Sequence, residues 1–239
     1  MSVVIDDHGA VRLITFDRPD KLNAFNRELY AASGAALHDA AADDSVRVVV
    51  LTGNGRAFSA GQDLAEMAAL AAGTESGGSG FPLFLDELQA FPKPLVAAVN
   101  GLAVGIGLTL LPHCDLVLID ETARLRVPFS ELGVPPEAAS SVLLPIRLGW
   151  QQAARLLFTS EWISAEEAVS LGLALQTCPA GTVVARALEL AERIAAFPLP
   201  ALRAIKETML AAQLPAVREA RRIEDQAFAA IFAARRPTP

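Results

Sequence analysis

The feature that most constrains this chain is a stretch without formal charge running from Pro94 to Cys114. It is nearly long enough to cross a bilayer. However, Asn100-Gly101 interrupts it, Gly105 and Gly107 follow, and a proline lies near each end, at Pro94 and Pro112. A buried strand, a turn and a buried helix satisfy this pattern better than a membrane span does. The segments on either side repeat the theme. VRVVVLT (46–52) is a short β-branched run of the kind found in strands covered on both faces. LVAAV (95–99) and CDLVLID (114–120) are its counterparts. Helical stretches separate them, so the expected fold class is α/β with parallel strand pairing.

The remaining elements follow from local pattern. Val3, Ile5, Val11, Leu13 and Phe16, broken at Asp7-His8-Gly9, read as a hairpin. Asn26 is placed to cap a helix in which Leu29, Ser33, Ala36, Leu37 and Ala40 recur at helical spacing. DLAEMAALAA (63–72) and residues near 82–90 read as helix, with a Gly/Ser-rich loop at 73–80 between them. LAVGIGLTLL reads as helix after the Asn-Gly turn. From about Ala138 onward only helices are expected, apart from LALQTC (173–178), with Pro198, Pro200 and Pro215 separating the last three. A soft boundary near residue 195 divides a core (1–195) from a helical C-terminal region (196–239).

Composition narrows the function. The net charge is −7, and no long basic run exists to neutralise phosphates, so nucleic acid is a poor partner. Cys114 and Cys178, the only cysteines, fit neither a disulfide framework nor a zinc spacing, and His8, His38 and His113 form no metal motif. The first residues lack a basic-then-apolar leader, and the last three, Pro-Thr-Pro, are not a peroxisomal address. The expectation is a cytoplasmic protein in a reducing compartment, with no membrane segment.

Four segments can carry chemistry. In RAFSAGQDL (56–64) a glycine between strand and helix lets the backbone approach a ligand, and the Gln62 amide just after it is free to face a negative charge. In NGLAVGIGLTLL (100–111) Gly105 and Gly107 open a helix, leaving the N–H of Ile106 at its positive end. Two such amides from separate segments can converge on one oxygen, as an oxyanion hole requires. Read alone, the first segment is an ordinary turn and the second is close helix–strand packing. In RVPFSELGVPPEAASSVLLP (126–145) Glu137 falls in the first turn of a helix beginning near Ala138. The helix terminus favours its ionised form and the surrounding apolar residues oppose it; a carboxylate caught between the two can act as a base near neutral pH. Taken alone, it is a solvated first-turn Glu. Glu131 is the rival carboxylate and reads as a loop residue. Finally, Lys21 in RPDKLNAF (18–25) and Lys206 in ALRAIKETM (201–209) could meet phosphates, though exposed lysines are usually just solvated.

In this order and spacing, these segments resemble the crotonase, or enoyl-CoA hydratase/isomerase, superfamily over nearly the whole chain. FSAGQDL and VAAVNGLAVGIG…CDLVL are the most specific parts. The resemblance implies a spiral of ββα turns with a helical C-terminal region that builds trimers, often paired as hexamers. It implies acyl-CoA thioesters as substrates, coenzyme A being part of the substrate and not a separate cofactor, and no metal. The thioester oxygen would be held by the amides of Gln62 and Ile106. Lys21, Leu22, Ala24, Ala60, Gln62, Asp63 and Leu64 would line the CoA pocket, with Lys206 reaching CoA phosphates. Typical hydratases hold a water between two glutamates, but here Thr109 and Phe129 stand at those places. The SELGVPPEAASS turn and the bulky residue between the glycines instead look like the peroxisomal-type Δ3,Δ2-enoyl-CoA isomerases, whose single glutamate corresponds to Glu137. The implied reaction is a 1,3-proton transfer through a dienolate. The alternatives are a hydratase or another crotonase reaction such as thioester hydrolysis, or a non-catalytic acyl-CoA-binding member.

Overall fold

The computed structural model describes residues 2–71 and 80–235, so most of the expected 73–80 loop lies outside the described residues. Along the chain come β1 (Val3–His8), β2 (Val11–Phe16), α1 (Arg27–Ala42), β3 (Val48–Gly53), β4 (Ala57–Ser59), α2 (Leu64–Ala71) and α3 (Phe81–Gln89). Then follow β5 (Leu95–Val99), β6 (Leu102–Val104), α4 (Ile106–Thr109), β7 (Leu116–Asp120), β8 (Arg124–Arg126), α5 (Phe129–Leu132), α6 (Ser140–Leu148) and α7 (Trp150–Thr159). The chain continues through β9 (Ile163–Ser164), α8 (Ala165–Ser170), β10 (Gln176–Cys178), α9 (Val183–Ala195) and α10 (Leu199–Arg235).

Two sheets result. One has the order β1-β2-β3-β5-β7-β10, the other β4-β6-β8-β9. The β1–β2 hairpin is antiparallel, and the strands from β2 to β10 pair in parallel. Three times in succession the chain runs a strand in the large sheet, a short strand in the small one, then a helix: β3-β4-α2, β5-β6-α4 and β7-β8-α5. This is the ββα spiral expected from the resemblance.

The β-branched run behaves as its pattern requires, with every residue of β3 buried. Val48 and Val50 face α9 through Val183, Ala187 and Ala191, while Val49 and Leu51 face the main core. Alternating side chains on one strand thus serve two layers. Asn26 caps α1 as expected, its side chain accepting from the N–H of Leu29 at 3.0 Å.

Four expectations are corrected. Ile163–Ser164 (β9) is a short strand paired with β8, in a stretch expected to be helical apart from 173–178. Leu102–Val104 is strand, not helix: a Cβ on Gly101 would lie 2.3 Å from the Arg56 carbonyl, so its backbone is pressed against the β4 segment, and the turn at Gly105 (φ 53°) delays the helix to Ile106. The helix expected from Ala138 begins at Ser140, because Ala138 and Ala139 both have positive φ, 59° and 56°. Pro215 does not separate two helices but lies inside α10. That helix is bound to the body by Lys206–Asp115, Arg203–Asp44 and Arg221–Asp86 ion pairs and by apolar contact of Val217 and Ala220 with Ala139 and Leu143. Among the described residues, no helix is long and apolar enough to cross a membrane.

Candidate active site

The site is built where the two glycine-bearing segments meet. Gly61 has φ 98°, and a Cβ there would sit 2.9 Å from the carbonyl oxygen of Val104 and 3.8 Å from Cα of Gly105. A Cβ on Gly107 would lie 2.5 Å from the Ser59 carbonyl oxygen. Only glycine permits backbones to abut this closely. Gln62 directly follows Gly61 and Ile106 directly follows Gly105, so the close approach of Gly61 to Val104 and Gly105 brings the two segments together. Gly61 accepts from the Phe25 N–H at 2.7 Å and Asp63 donates to the Phe25 carbonyl at 2.8 Å, so the strand-like bridge at this point engages the residues flanking Gln62. Ile106 is the first residue of α4, where an N–H has no intrahelical acceptor. Neither the Gln62 nor the Ile106 main-chain N–H finds an acceptor among the described residues.

The 18–25 turn is stitched to this segment. Buried Asn23 donates to the carbonyls of Asn54 and Ala57 at 2.9 and 2.7 Å, and its own carbonyl accepts from Ser59 Oγ at 2.9 Å. Ala60 donates to Leu22 at 2.8 Å. Arg18 pairs with Asp63 at 3.1 Å. Burial alone would raise the Asp63 carboxyl, but Arg18 and the N–H groups of Glu66 and Ala65 outweigh it and hold it low. Lys21, Leu22, Ala24, Ala60, Gln62 and Asp63 therefore share one neighbourhood, with Lys21 exposed and Leu64 facing solvent.

Tyr30, fully buried on α1, donates its hydroxyl to Gln62 Oε1 at 2.7 Å. Its ionisation is suppressed first by burial, then by the charges of Glu137 and Glu66. The Glu137 carboxyl is thus electrostatically coupled to the residue that holds Gln62. Glu137 itself is pushed up to about 7, by burial first and then by the negative charge of Glu224. Both forms are populated at neutral pH, as a proton carrier needs. Because Glu137 precedes the two left-handed alanines, it is not in the first turn of α6; its carbonyl accepts from the Ser140 N–H at 3.0 Å.

That turn is fastened from two directions. His113 Nε2 lies 2.8 Å from the Ala138 carbonyl. The imidazole is half-buried and held neutral, its pKa lowered to about 4 by desolvation, so this nitrogen carries the hydrogen and donates. From α10, Glu224 accepts from Ala139 at 2.7 Å and Ser141 at 2.9 Å.

Two other sequence candidates make ion pairs within the chain. Glu131 is exposed and ion-paired with Arg126. Lys206 is only 4% exposed, and its ammonium meets both oxygens of Asp115 at 2.6 and 2.7 Å. Its charge is thus engaged inside the chain. Thr109 and Phe129, at the two places the resemblance assigns to hydratase glutamates, are both buried. Tyr30, His113 and Glu224 were missed, because their roles arise from contacts across 25 to 85 residues that leave no local pattern. Among the described residues no cluster of His, Cys, Asp or Glu could hold a metal ion.

A family model described as enoyl-CoA hydratase/isomerase matches residues 6–236. The chain is 36% identical over 233 residues to the 2,3-dehydroadipyl-CoA hydratase of Escherichia coli K12, covering 97% of this chain and 90% of that protein. It is 36% identical over 209 residues to the enoyl-CoA delta isomerase 2 of Rattus norvegicus, covering 86% of this chain but 53% of the relative. The crystal structure of enoyl-CoA hydratase EchA8_6 from Mycobacterium marinum superposes with a TM-score of 0.83 at 50% identity, over 88% of this chain and 99% of that one.

Proposed function

This chain belongs to the enoyl-CoA hydratase/isomerase family, and we propose that it shifts an acyl-CoA double bond from C3 to C2 rather than adding water across one. The observation that carries the reading is Glu137: a carboxyl raised to about 7 and electrically coupled to Tyr30, whose hydroxyl donates to the Gln62 side chain.

The chemistry follows from those parts. Ionised Glu137 removes a proton from C2 of the 3-enoyl thioester, which the adjacent carbonyl acidifies. The C2–H electrons form a C1–C2 double bond while the carbonyl electrons move onto oxygen, giving a dienolate. The N–H groups of Gln62 and Ile106 hold that oxygen, each worth roughly 3–4 kcal/mol of transition-state stabilisation. The dienolate then collapses: the carbonyl reforms, the C1–C2 electrons become the C2–C3 double bond, and the former C3–C4 π electrons take the proton from Glu137 at C4. Base and acid are the same group, and nothing is consumed. An isoleucine at 106 is compatible with this because the task belongs to its main-chain N–H. Lys21, Leu22, Ala24, Ala60, Asp63 and Leu64 would border the CoA moiety. Self-association into trimers or hexamers fits the exposed Trp150 and Phe158 on α7, and a solution mass of one chain would argue against it.

Hydration is the second reading, favoured by the names of the Escherichia coli and Mycobacterium marinum relatives. It asks for a second carboxylate to orient water. The other acids near Glu137 are committed: Glu66 accepts from the Arg27 N–H at 2.9 and 3.1 Å, and Glu224 from Ala139 and Ser141. A panel of 2-enoyl-, 3-enoyl- and 3-hydroxyacyl-CoA separates the two. The isomerase reading expects 3-enoyl-CoA to be the preferred substrate with 2-enoyl-CoA as product. Rapid conversion of 2-enoyl- to 3-hydroxyacyl-CoA would replace it with hydration.

A further inference from the structure

We propose that Glu224, on α10, is a positioning residue for Glu137, its buried carboxylate holding the main-chain turn from which the Glu137 side chain projects. The inference rests on the reading of Glu137 as the proton carrier.

Ala138 and Ala139 are successive non-glycine residues in the left-handed region, φ 59° and 56°. L-residues adopt that conformation in pairs only where the surroundings impose it. The helix that follows has no local device to impose it, since Ala139 at its N-cap offers no side-chain acceptor. Glu224 supplies the acceptor from 85 residues away, taking the N–H of Ala139 at 2.7 Å on one oxygen and that of Ser141 at 2.9 Å on the other. It is 4% exposed and forms no ion pair with a Lys or Arg among the described residues, so the Ser141 hydroxyl and these N–H groups are its compensation for burial. A serine or aspartate at position 139 could cap a helix more simply. An acid reaching in from α10 does something a local cap would not: it ties the C-terminal helix to the residue adjoining Glu137 and places a negative charge beside its carboxyl.

The charged and titratable groups around this turn come from five elements. Glu224 and Asp225 lie on α10, Tyr30 on α1 and Glu66 on α2. His113 lies on the turn after α4 and feels Arg221 and Lys206 of α10 and Arg147 of α6. Of the acids, Glu224 is the one whose charge acts on Glu137, and it opposes ionisation.

The test compares Glu224→Gln and Glu224→Asp with wild type in 3-enoyl-CoA isomerisation across pH. Glu219→Gln, an exposed residue paired with Arg222 on the same helix, serves as control. Glutamine keeps the length but removes the charge and one acceptor oxygen; aspartate keeps the charge but retracts it by one methylene. Both should lower kcat by about tenfold to a hundredfold with KM little changed, as expected for a misplaced reacting group. In Glu224→Gln the acid limb of kcat/KM should move to lower pH, since a like charge that resisted ionisation is gone. In Glu224→Asp the limb should stay nearer wild type, and the control should match wild type throughout. Wild-type kcat and an unmoved limb in Glu224→Gln would overturn the proposal. Loss of the folded state in both variants, or parallel losses of kcat, KM and melting temperature, would make Glu224 merely structural and overturn it too. If Glu137→Gln retains turnover, the underlying reading fails; if Glu137→Gln is inactive and Glu224→Gln behaves as wild type, only this inference fails.

Discussion

A carboxyl pushed from its ordinary 4.5 to about 7 binds its proton more tightly in the folded chain than in the unfolded one. For Glu137 the sign is therefore a cost. The folded state loses stability from this group as pH rises from 4.5 through 7, and the loss is complete above that window. The size is roughly 2–3 kcal/mol, taking 1.36 kcal/mol per pH unit and discounting for the partial exposure of the residue. His113 runs the other way on acidification: its folded pKa, about 4, lies below the ordinary 6.5, so the fold loses stability as pH falls between those values. Glu137→Gln should accordingly be more stable than wild type at pH 8 by about 2–3 kcal/mol and nearly equal to it at pH 5, as read by denaturant unfolding. Equal stability at pH 8 would show that the carboxyl is not strained by its site. Glu137 was legible in the sequence as a candidate, but not the reason it works. Its pKa is set first by burial in the fold and then by the charge of Glu224, which lies far away in the chain.

Among the elements, the long apolar strands were readable and the short ones were not. β3 and β5 are short, uncharged runs rich in Val, Leu and Ala and buried throughout, and their pattern predicts them. β4, β6 and β8 have three residues each, too few to show a period, and close glycine approaches pack the chain around β4 and β6. Gly61 tests this directly. Gly61→Ala asks an L-residue to hold φ 98° with its Cβ 2.9 Å from the Val104 carbonyl oxygen. Destabilisation of about 1–3 kcal/mol is expected, together with a fall in kcat as the Gln62 N–H moves. A variant as stable and active as wild type would mean the close approach is dispensable. The start of α6 was misplaced by two residues for a related reason. No sequence pattern announces a pair of left-handed alanines, because Glu224 and His113 impose that conformation from elsewhere in the chain.

Across the whole molecule, α10 is tied to the rest of the chain by three ion pairs and by apolar contact with α6. The resemblance implies that its Lys206 can reach CoA phosphates, often those of a neighbouring subunit. In the fold it bridges α10 to Asp115, whose Oδ2 also accepts from the Leu95 N–H at 2.8 Å and so anchors the start of β5. Removing one member of such a pair leaves the other partly buried and uncompensated. Lys206→Met should lower stability by about 2–3 kcal/mol, discounted for the 23% exposure of the Asp115 side chain, while leaving KM for acyl-CoA within about twofold. A severalfold rise in KM without loss of stability would return Lys206 to the phosphate role.

The central claim is that one acid carries the proton between two carbons while main-chain amides hold the thioester oxygen. It is tested most directly by the single-turnover rate of 3-enoyl-CoA on wild type and Glu137→Gln, with acyl-CoA binding measured on the same samples. The account predicts that the variant binds acyl-CoA like wild type yet forms 2-enoyl-CoA at least about a hundredfold more slowly. A variant that binds normally and forms 2-enoyl-CoA at the wild-type rate would contradict it.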